Sequence, residues 1–334
     1  MQWMNNARIV AIFAVVMLHV AAYPVLNAEL GSTSWWIANV YDSALRWCVP
    51  VFVMISGALL LEPRTEGLKT FYRKRATRVL LPLLFWSLFY VIWAKLKHGA
   101  YGHDPSDISI WERLSAGKPY FHLWFLYMLV FLYLFAPFFQ IMIKACKPRH
   151  LYWALICGFA LAALNTFLGN LSTRADPWFF NWFLFYVPYF VLGYVIRHTQ
   201  LRIAHAYLWL GLLISVAATA WGVFALSTRT DLSTGTYFYD NLSVTVIPMS
   251  ACIILLVRDW NREFIHPRLT QVLSQLTLGV YLLHPIVLDI AYYFDINALT
   301  LHPLWSIPLL SLATYIITLG LVASLQRTPL RHTM

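Results

Sequence analysis

Ten stretches of roughly twenty predominantly apolar residues recur along this chain of 334, and no other feature constrains its fold as much. A helix crossing the hydrocarbon core of a bilayer needs about 20 such residues. The stretches lie near 6–26, 35–60, 71–97, 120–143, 151–169, 180–197, 204–226, 240–257, 273–293 and 304–326. Pro50, Pro82, Pro137, Pro188, Pro248, Pro285 and Pro308 fall inside them. Packed helices in lipid tolerate prolines, because neighbours satisfy the freed carbonyl groups. Charged residues make up 11% of the chain, against about 25% in a soluble domain. The reading is an all-α, polytopic membrane protein with about ten transmembrane helices in one bundle. With no internal repeat, one domain over 1–334 is expected. No convincing cleavage site follows the first stretch, which is expected to stay as an anchor.

Lysine and arginine set the orientation. Arg8, Arg64, Lys69, Arg73, Lys74, Arg75, Arg78, Lys144, Lys147, Arg149, Arg197, Arg202, Arg258, Arg262, Arg268, Arg327 and Arg331 fall on one side, about 17 of the 24 basic residues. Lys95, Lys97, Arg113, Lys118, Arg174 and Arg229 fall on the other, and Arg46 on neither. The basic side is read as cytoplasmic, and an even number of crossings puts both termini there. The same placement accounts for the net charge of +10. No basic helix with interleaved aromatics is present, so no nucleic acid is expected. Cys48, Cys146, Cys157 and Cys252 have no metal-binding spacing and read as small apolar residues. On the outer side, 104–116 reads as a short amphipathic helix started by Pro105 or an Asp/Ser cap. The segment 228–240, rich in Thr, Ser, Gly and Tyr, suits a sugar-facing loop or any exposed loop.

Against this apolar background the polar residues stand out. Arg8 and His19 are eleven apart in the first stretch, nearly three helical turns. They share a face and lie roughly 16 Å apart along the axis. A cation at mid-bilayer costs ~3 kcal/mol on insertion scales, which makes a site the default reading. A neutral imidazole can take a proton from a hydroxyl at physiological pH. Arg8 suits a phosphate or carboxylate, and equally an anchor at a helix end. The run 71–82, FYRKRATRVLLP, is denser in charge than topology requires. Arg75 and Arg78 are three apart, so α-helical spacing turns them one way. With Arg73 and Lys74 they make either an inner anion site or an anchor. Asp42 and Arg46 form an i, i+4 pair inside the second stretch, which fixes helix register or binds an acceptor. His122 stands at the outer end of the fourth stretch and His284 inside the ninth. No HxxxH pair or carboxylate cluster accompanies these histidines, so no metal is expected. Gly-rich phosphate loops, GxSxG and HExxH are absent from the sequence, as are the paired interruptions of an inverted-repeat transporter.

Five elements in order carry a resemblance. They are Arg8 and His19 with ten residues between, Arg46 through Gly57 (RWCVPVFVMISG), Lys74 to Arg78 (KRATR), His122 to Leu126 (HLWFL) and Tyr281 to Pro285 (YLLHP). The chain resembles the acyltransferase-3 family of integral membrane acyltransferases essentially end to end. Val53 stands where that family commonly has Phe. The size and early segments look most like the short bacterial members that O-acetylate enterobacterial common antigen or related polysaccharides. The resemblance implies one transmembrane acyltransferase domain over 1–334, without the SGNH hydrolase domain of longer members. It implies a multi-pass protein of the bacterial inner membrane, using acetyl-CoA as acyl donor. The acceptor would be a hydroxyl of a glycan or lipid-linked saccharide.

On that basis acetyl-CoA is expected to bind through Arg8, Lys74, Arg75 and Arg78. His19 is expected to act as general base, by direct attack or through an acetyl-histidine. Arg8, Arg46 and His122 complete the expected catalytic set, and Asp42, Tyr281, His284 and Trp124 the acceptor site. Membrane lipid is a partner, and a homo-oligomer is compatible with this reading. Two rival classes remain open at this point: a transporter or flippase of lipid-linked sugars, and a non-catalytic scaffold. Labelled acetyl-CoA separates the first, because a transporter leaves the label on CoA. Loss of one imidazole is nearly silent in the second.

Overall fold

The computed structural model describes residues 2–62, 66–171, 178–199, 202–260, 262 and 266–334. Arg64 and Arg174, used above for orientation, lie outside the described residues. The helices are α1 Gln2–Asn27, α2 Thr33–Leu45, α3 Cys48–Leu60, α4 Leu68–Arg75, α5 Leu81–Ala100, α6 Ile110–Ser115, α7 Trp124–Ala145, α8 Pro148–Leu171, α9 Trp182–His198, α10 His205–Ser227, α11 Leu232–Gly235, α12 Val246–Arg258, α13 Pro267–Tyr293 and α14 Pro303–Leu325. No strand occurs among the described residues. Among the described residues, nine helical segments are long and apolar enough to cross a membrane, and the protein is an all-α polytopic membrane protein.

Local breaks follow the sequence. The second stretch is two helices, α2 and α3, hinged at Arg46 and Trp47. Pro50 lacks the N–H that would bond the Arg46 carbonyl, and its ring crowds that carbonyl. Ser32 caps α2, its Oγ accepting from Trp35 N at 3.2 Å. Between α4 and α5, residues Ala76–Leu80 form a π turn. It lies just before Pro82, which leaves the Arg78 carbonyl without its usual donor.

The eighth expected span, 240–257, needs correction. Its helix, α12, covers only Val246–Arg258, 13 residues, or about 20 Å. The chain still travels the depth of α1. Asn6 Nδ2 on α1 donates to the carbonyls of Trp260 and Arg262 at 3.2 and 2.9 Å. Toward the other end of α1, Ala22, Val25 and Leu26 share a cavity with Tyr239, Asp240 and Asn241. Turns complete the crossing, and protein groups satisfy them. Leu242 N donates to Asp240 Oδ1 at 2.7 Å, Val246 N to Ser243 Oγ at 3.3 Å, and Tyr189 Oη to the Asn241 carbonyl at 2.7 Å. Irregular backbone at this depth persists only where protein buries it.

Both chain ends lie at one end of the bundle. Asn5 accepts from Ser274 Oγ at 3.0 Å, and Trp86 Nε1 near the start of α5 donates to the Thr333 carbonyl at 2.8 Å. The bundle is tightest where α3 crosses α9. A Cβ on Gly57 would fall 1.7 Å from the Phe190 carbonyl oxygen, and one on Gly193 would fall 1.8 Å from that of Met54. Only glycine lets these two backbones meet. The outer segment 104–116 divides into a 3-10 turn capped by Asp104 and α6 capped by Ser109. Trp111 on α6 is 79% exposed, which suits an interfacial anchor.

Candidate functional site

The outer part of the site is a cluster of rings. His19, in the outer half of α1, stacks on His284 of α13 with centroids 5.3 Å apart and planes 18° apart. Phe121 meets it edge-on at 4.9 Å. His122 is 5.8 Å from His284 and 5.1 Å from Tyr281. The fourth stretch was expected to be helical from 120, but α7 begins only at Trp124. His122 therefore sits on the turn before α7. Its carbonyl accepts from the Tyr281 hydroxyl.

The nitrogens of these rings divide by role. His284 Nδ1 lies 3.0 Å from the Val280 carbonyl. A carbonyl only accepts, so Nδ1 carries the proton and Nε2 is left with a lone pair. That Nε2 and both His122 nitrogens are buried without a hydrogen-bond partner among the described residues. Each such atom costs about 1–3 kcal/mol when left unpaired, so three gathered at one place call for a bound partner or a role in the site. His19 differs in being only half-buried. It is the ring of the three that keeps open surface.

Around this cluster runs a polar network that sequence reasoning missed. Asp289, 7% exposed, accepts from Tyr120 Oη, from Trp93 Nε1 at 2.8 Å and from Lys97 Nζ at 2.6 Å. Tyr90 Oη donates to the Leu282 carbonyl at 2.5 Å, and its ring stacks on Tyr120 at 4.6 Å. A lone carboxylate inside the ninth stretch was the available signal.

Asp42 and Arg46 form an ion pair, as their i, i+4 spacing allows. The Arg46 guanidinium also lies over the Tyr239 ring at 3.9 Å and donates to the Tyr239 carbonyl at 3.3 Å. Beneath it Tyr239 Oη donates to Asn39 Oδ1 at 2.6 Å, and Asn39 Nδ2 to the Ala220 carbonyl at 2.9 Å. Arg46, Asp42 and Ala22, one turn outward from His19, line a cavity of about 340 Å³. Trp124 lies apart from the ring cluster. It packs against Trp182 and Tyr186 at 6.4 and 5.8 Å.

The inner part is built of charge. Arg8 is half-buried, and no acidic side chain among the described residues pairs with it. The Tyr133 hydroxyl, 3.0 Å from Ser56 Oγ, is in electrostatic reach of both Arg8 and Arg75. Lys74 and Arg75 are held by Glu66 at 2.6 and 3.0 Å, and the Arg75 guanidinium lies 3.9 Å over the Phe71 ring. Hydrogen bonding from Lys74, then from Arg75, lowers the Glu66 carboxyl to a pKa of about 2. Arg78 is exposed. The expectation that Arg75 and Arg78 share a face needs correction. It assumed α-helical spacing, and the π turn over Ala76–Leu80 changes that register.

One helix joins the two ends. Arg8 and His19 both belong to α1, roughly 16 Å apart, with Ala11, Ile12 and Val15 buried between them. Such a site can gather an anion at the inner end and receive a proton at the outer end. Residues 1–323 match a family model described as an acyltransferase domain. No curated protein and no solved structure matches the chain.

Proposed function

Because this chain belongs to the acyltransferase-3 family, a family of membrane acyltransferases, we propose that it is an O-acyltransferase with His19 as general base. The donor is cytoplasmic acyl-CoA, acetyl-CoA in the first place. The acceptor is a hydroxyl of a cell-surface polysaccharide or lipid-linked glycan precursor, and the setting is a bacterial inner membrane. The observation that carries this reading is the half-open His19 ring, on the same helix as Arg8, which pairs with no acidic side chain among the described residues, and facing partners that already hold its plane.

The donor's phosphates bind at Arg8 and Arg78, with Lys74 and Arg75 added as they exchange Glu66 for phosphate. The pantetheine arm runs along α1 toward His19. His19 takes the proton of the acceptor hydroxyl while that oxygen bonds to the thioester carbonyl carbon. When the tetrahedral adduct collapses, the C–S bond breaks and the CoA thiolate leaves, recovering the proton from the imidazolium. Arg46 and His122 supply donors toward the developing oxyanion or the acceptor. The Tyr281 hydroxyl is engaged by the His122 carbonyl, so Tyr281 acts as a positioning residue, as does His284 stacked on His19.

The test uses purified protein in lipid nanodiscs with acetyl-labelled CoA and the glycan fraction of the source cell. Label is expected to move from CoA to glycan, and the His19→Ala variant is expected to insert normally and to transfer about 10²–10⁴-fold more slowly. Label that stays on CoA marks a transporter, and normal transfer by His19→Ala refutes the base.

A further inference from the structure

A second outer cavity, of about 330 Å³, opens between the end of α5, α6 and the turn before α7. Lys97, His98, Tyr101, His103, Arg113 and Tyr120 line it, and no carboxylate does among the described residues. The two cations differ. Lys97 is matched by Asp289 at 2.6 Å. Arg113 is half-buried on α6 and has no ion pair or side-chain hydrogen bond among the described residues. Its direction follows from the Ser109 cap, which sets where α6 begins, at 3.2 Å from Glu112 N. Trp111 then faces outward and Arg113 lines the cavity. Asp107 lies behind the lining, 3.5 Å from His98 Nε2.

Two ring contacts connect this cavity to His19. Tyr120 contacts Phe121 at 5.0 Å, and Phe121 contacts His19 at 4.9 Å. A neutral sugar in this place would bury the Arg113 guanidinium without a counter-charge, which is unfavourable. A planar oxyanion accepts two parallel N–H bonds from it. We propose that this cavity is an anion subsite. It binds a carboxylate or phosphate of the acceptor glycan and so presents a neighbouring hydroxyl to His19. The inference rests on the acyl-transfer reading above and adds to it that the acceptor is acidic.

The test is equilibrium binding to the full chain in phosphatidylcholine nanodiscs. The probes are methyl glucuronide, inorganic pyrophosphate and, as neutral control, methyl glucoside. The two anions are expected to bind and the glucoside not to. Arg113→Gln is expected to weaken both anions about tenfold, and Arg113→Lys to restore part of that loss. Acetyl-CoA binding, at the opposite end of the bundle, stays unchanged in both variants and shows that they are folded. Equal binding of glucuronide and glucoside, or anion binding untouched by Arg113→Gln, overturns the subsite. An outer-leaflet phospholipid headgroup carries the same anionic chemistry. Nanodiscs containing phosphatidylglycerol separate that source: if this lipid displaces the soluble probes, the cavity belongs to lipid and the proposal fails. These readouts need no turnover, so failure of the subsite is distinct from failure of acyl transfer, which the labelled-CoA assay reads separately.

Discussion

The inner and outer ends of α1 carry polar groups in opposite ways. At the inner end, two of the cations share one carboxylate, which a ligand anion can replace. Lys74 and Arg75 share Glu66, and Arg78 is exposed. At the outer end, neutral rings are held by other rings and by backbone carbonyls. Three of their nitrogens are buried without a partner among the described residues. The first arrangement suits a ligand that arrives by charge and is exchanged. The second suits a ligand that must be oriented while a proton moves, because a ring fixed before binding needs no reorganisation during the step.

Substitutions can break or sharpen this contrast. The largest effect is expected from His19→Ala, a loss of about 10²–10⁴-fold in acyl transfer, measured as label reaching glycan, with donor binding retained. If donor binding falls equally, the two ends are not separable. Next, Arg78→Ala is expected to raise the donor's KM about tenfold and to flatten its salt dependence, with acceptor KM unchanged. A matching change in acceptor KM would contradict the division. Tyr281→Phe, which frees the His122 carbonyl, is expected to lower kcat about fivefold through loss of one hydrogen bond, with no change in donor KM. The smallest effect belongs to Glu66→Gln, which releases Lys74 and Arg75. Donor KM is expected to fall about twofold, within the range for an exposed ion pair.

Glu66 also has a pH signature. Its pKa is depressed to about 2, so the ionised strap is favoured over the unfolded chain above the ordinary carboxyl range. That contribution fades as pH falls toward 2. Donor KM is therefore expected to show no step from Glu66 between pH 5 and 8, and a step there that vanishes in Glu66→Gln would place its pKa higher.

Part of the site was legible residue by residue. His19, His122 and His284 stood out because an imidazole in an apolar stretch is conspicuous, and Tyr281 through its place in YLLHP; the fold brings these rings within 5.1 to 6.4 Å of at least one other member. Asp42 and Arg46 were paired by spacing. Asp289 was passed over although it has the same signature, a charge within a span. Trp124 looked similar to its neighbours in the HLWFL run, but α7 turns it toward Trp182 and Tyr186. Arg75 and Arg78 were misjudged because spacing presumes one helix type, and Pro82 lies just after a π turn.

Sequence alone determined that the chain is a bundle of membrane helices, which side is basic, and which polar residues are worth burying. Those properties follow from local composition, since lipid forces each span to pair its own backbone. Only the tertiary structure decided that α12 is short and completed by turns, that Gly57 and Gly193 seat two backbones against each other, and that Arg113 lines a cavity two ring contacts from His19. Each of these depends on groups far apart in the chain meeting in space, and helical periodicity carries no record of which neighbour a face will meet.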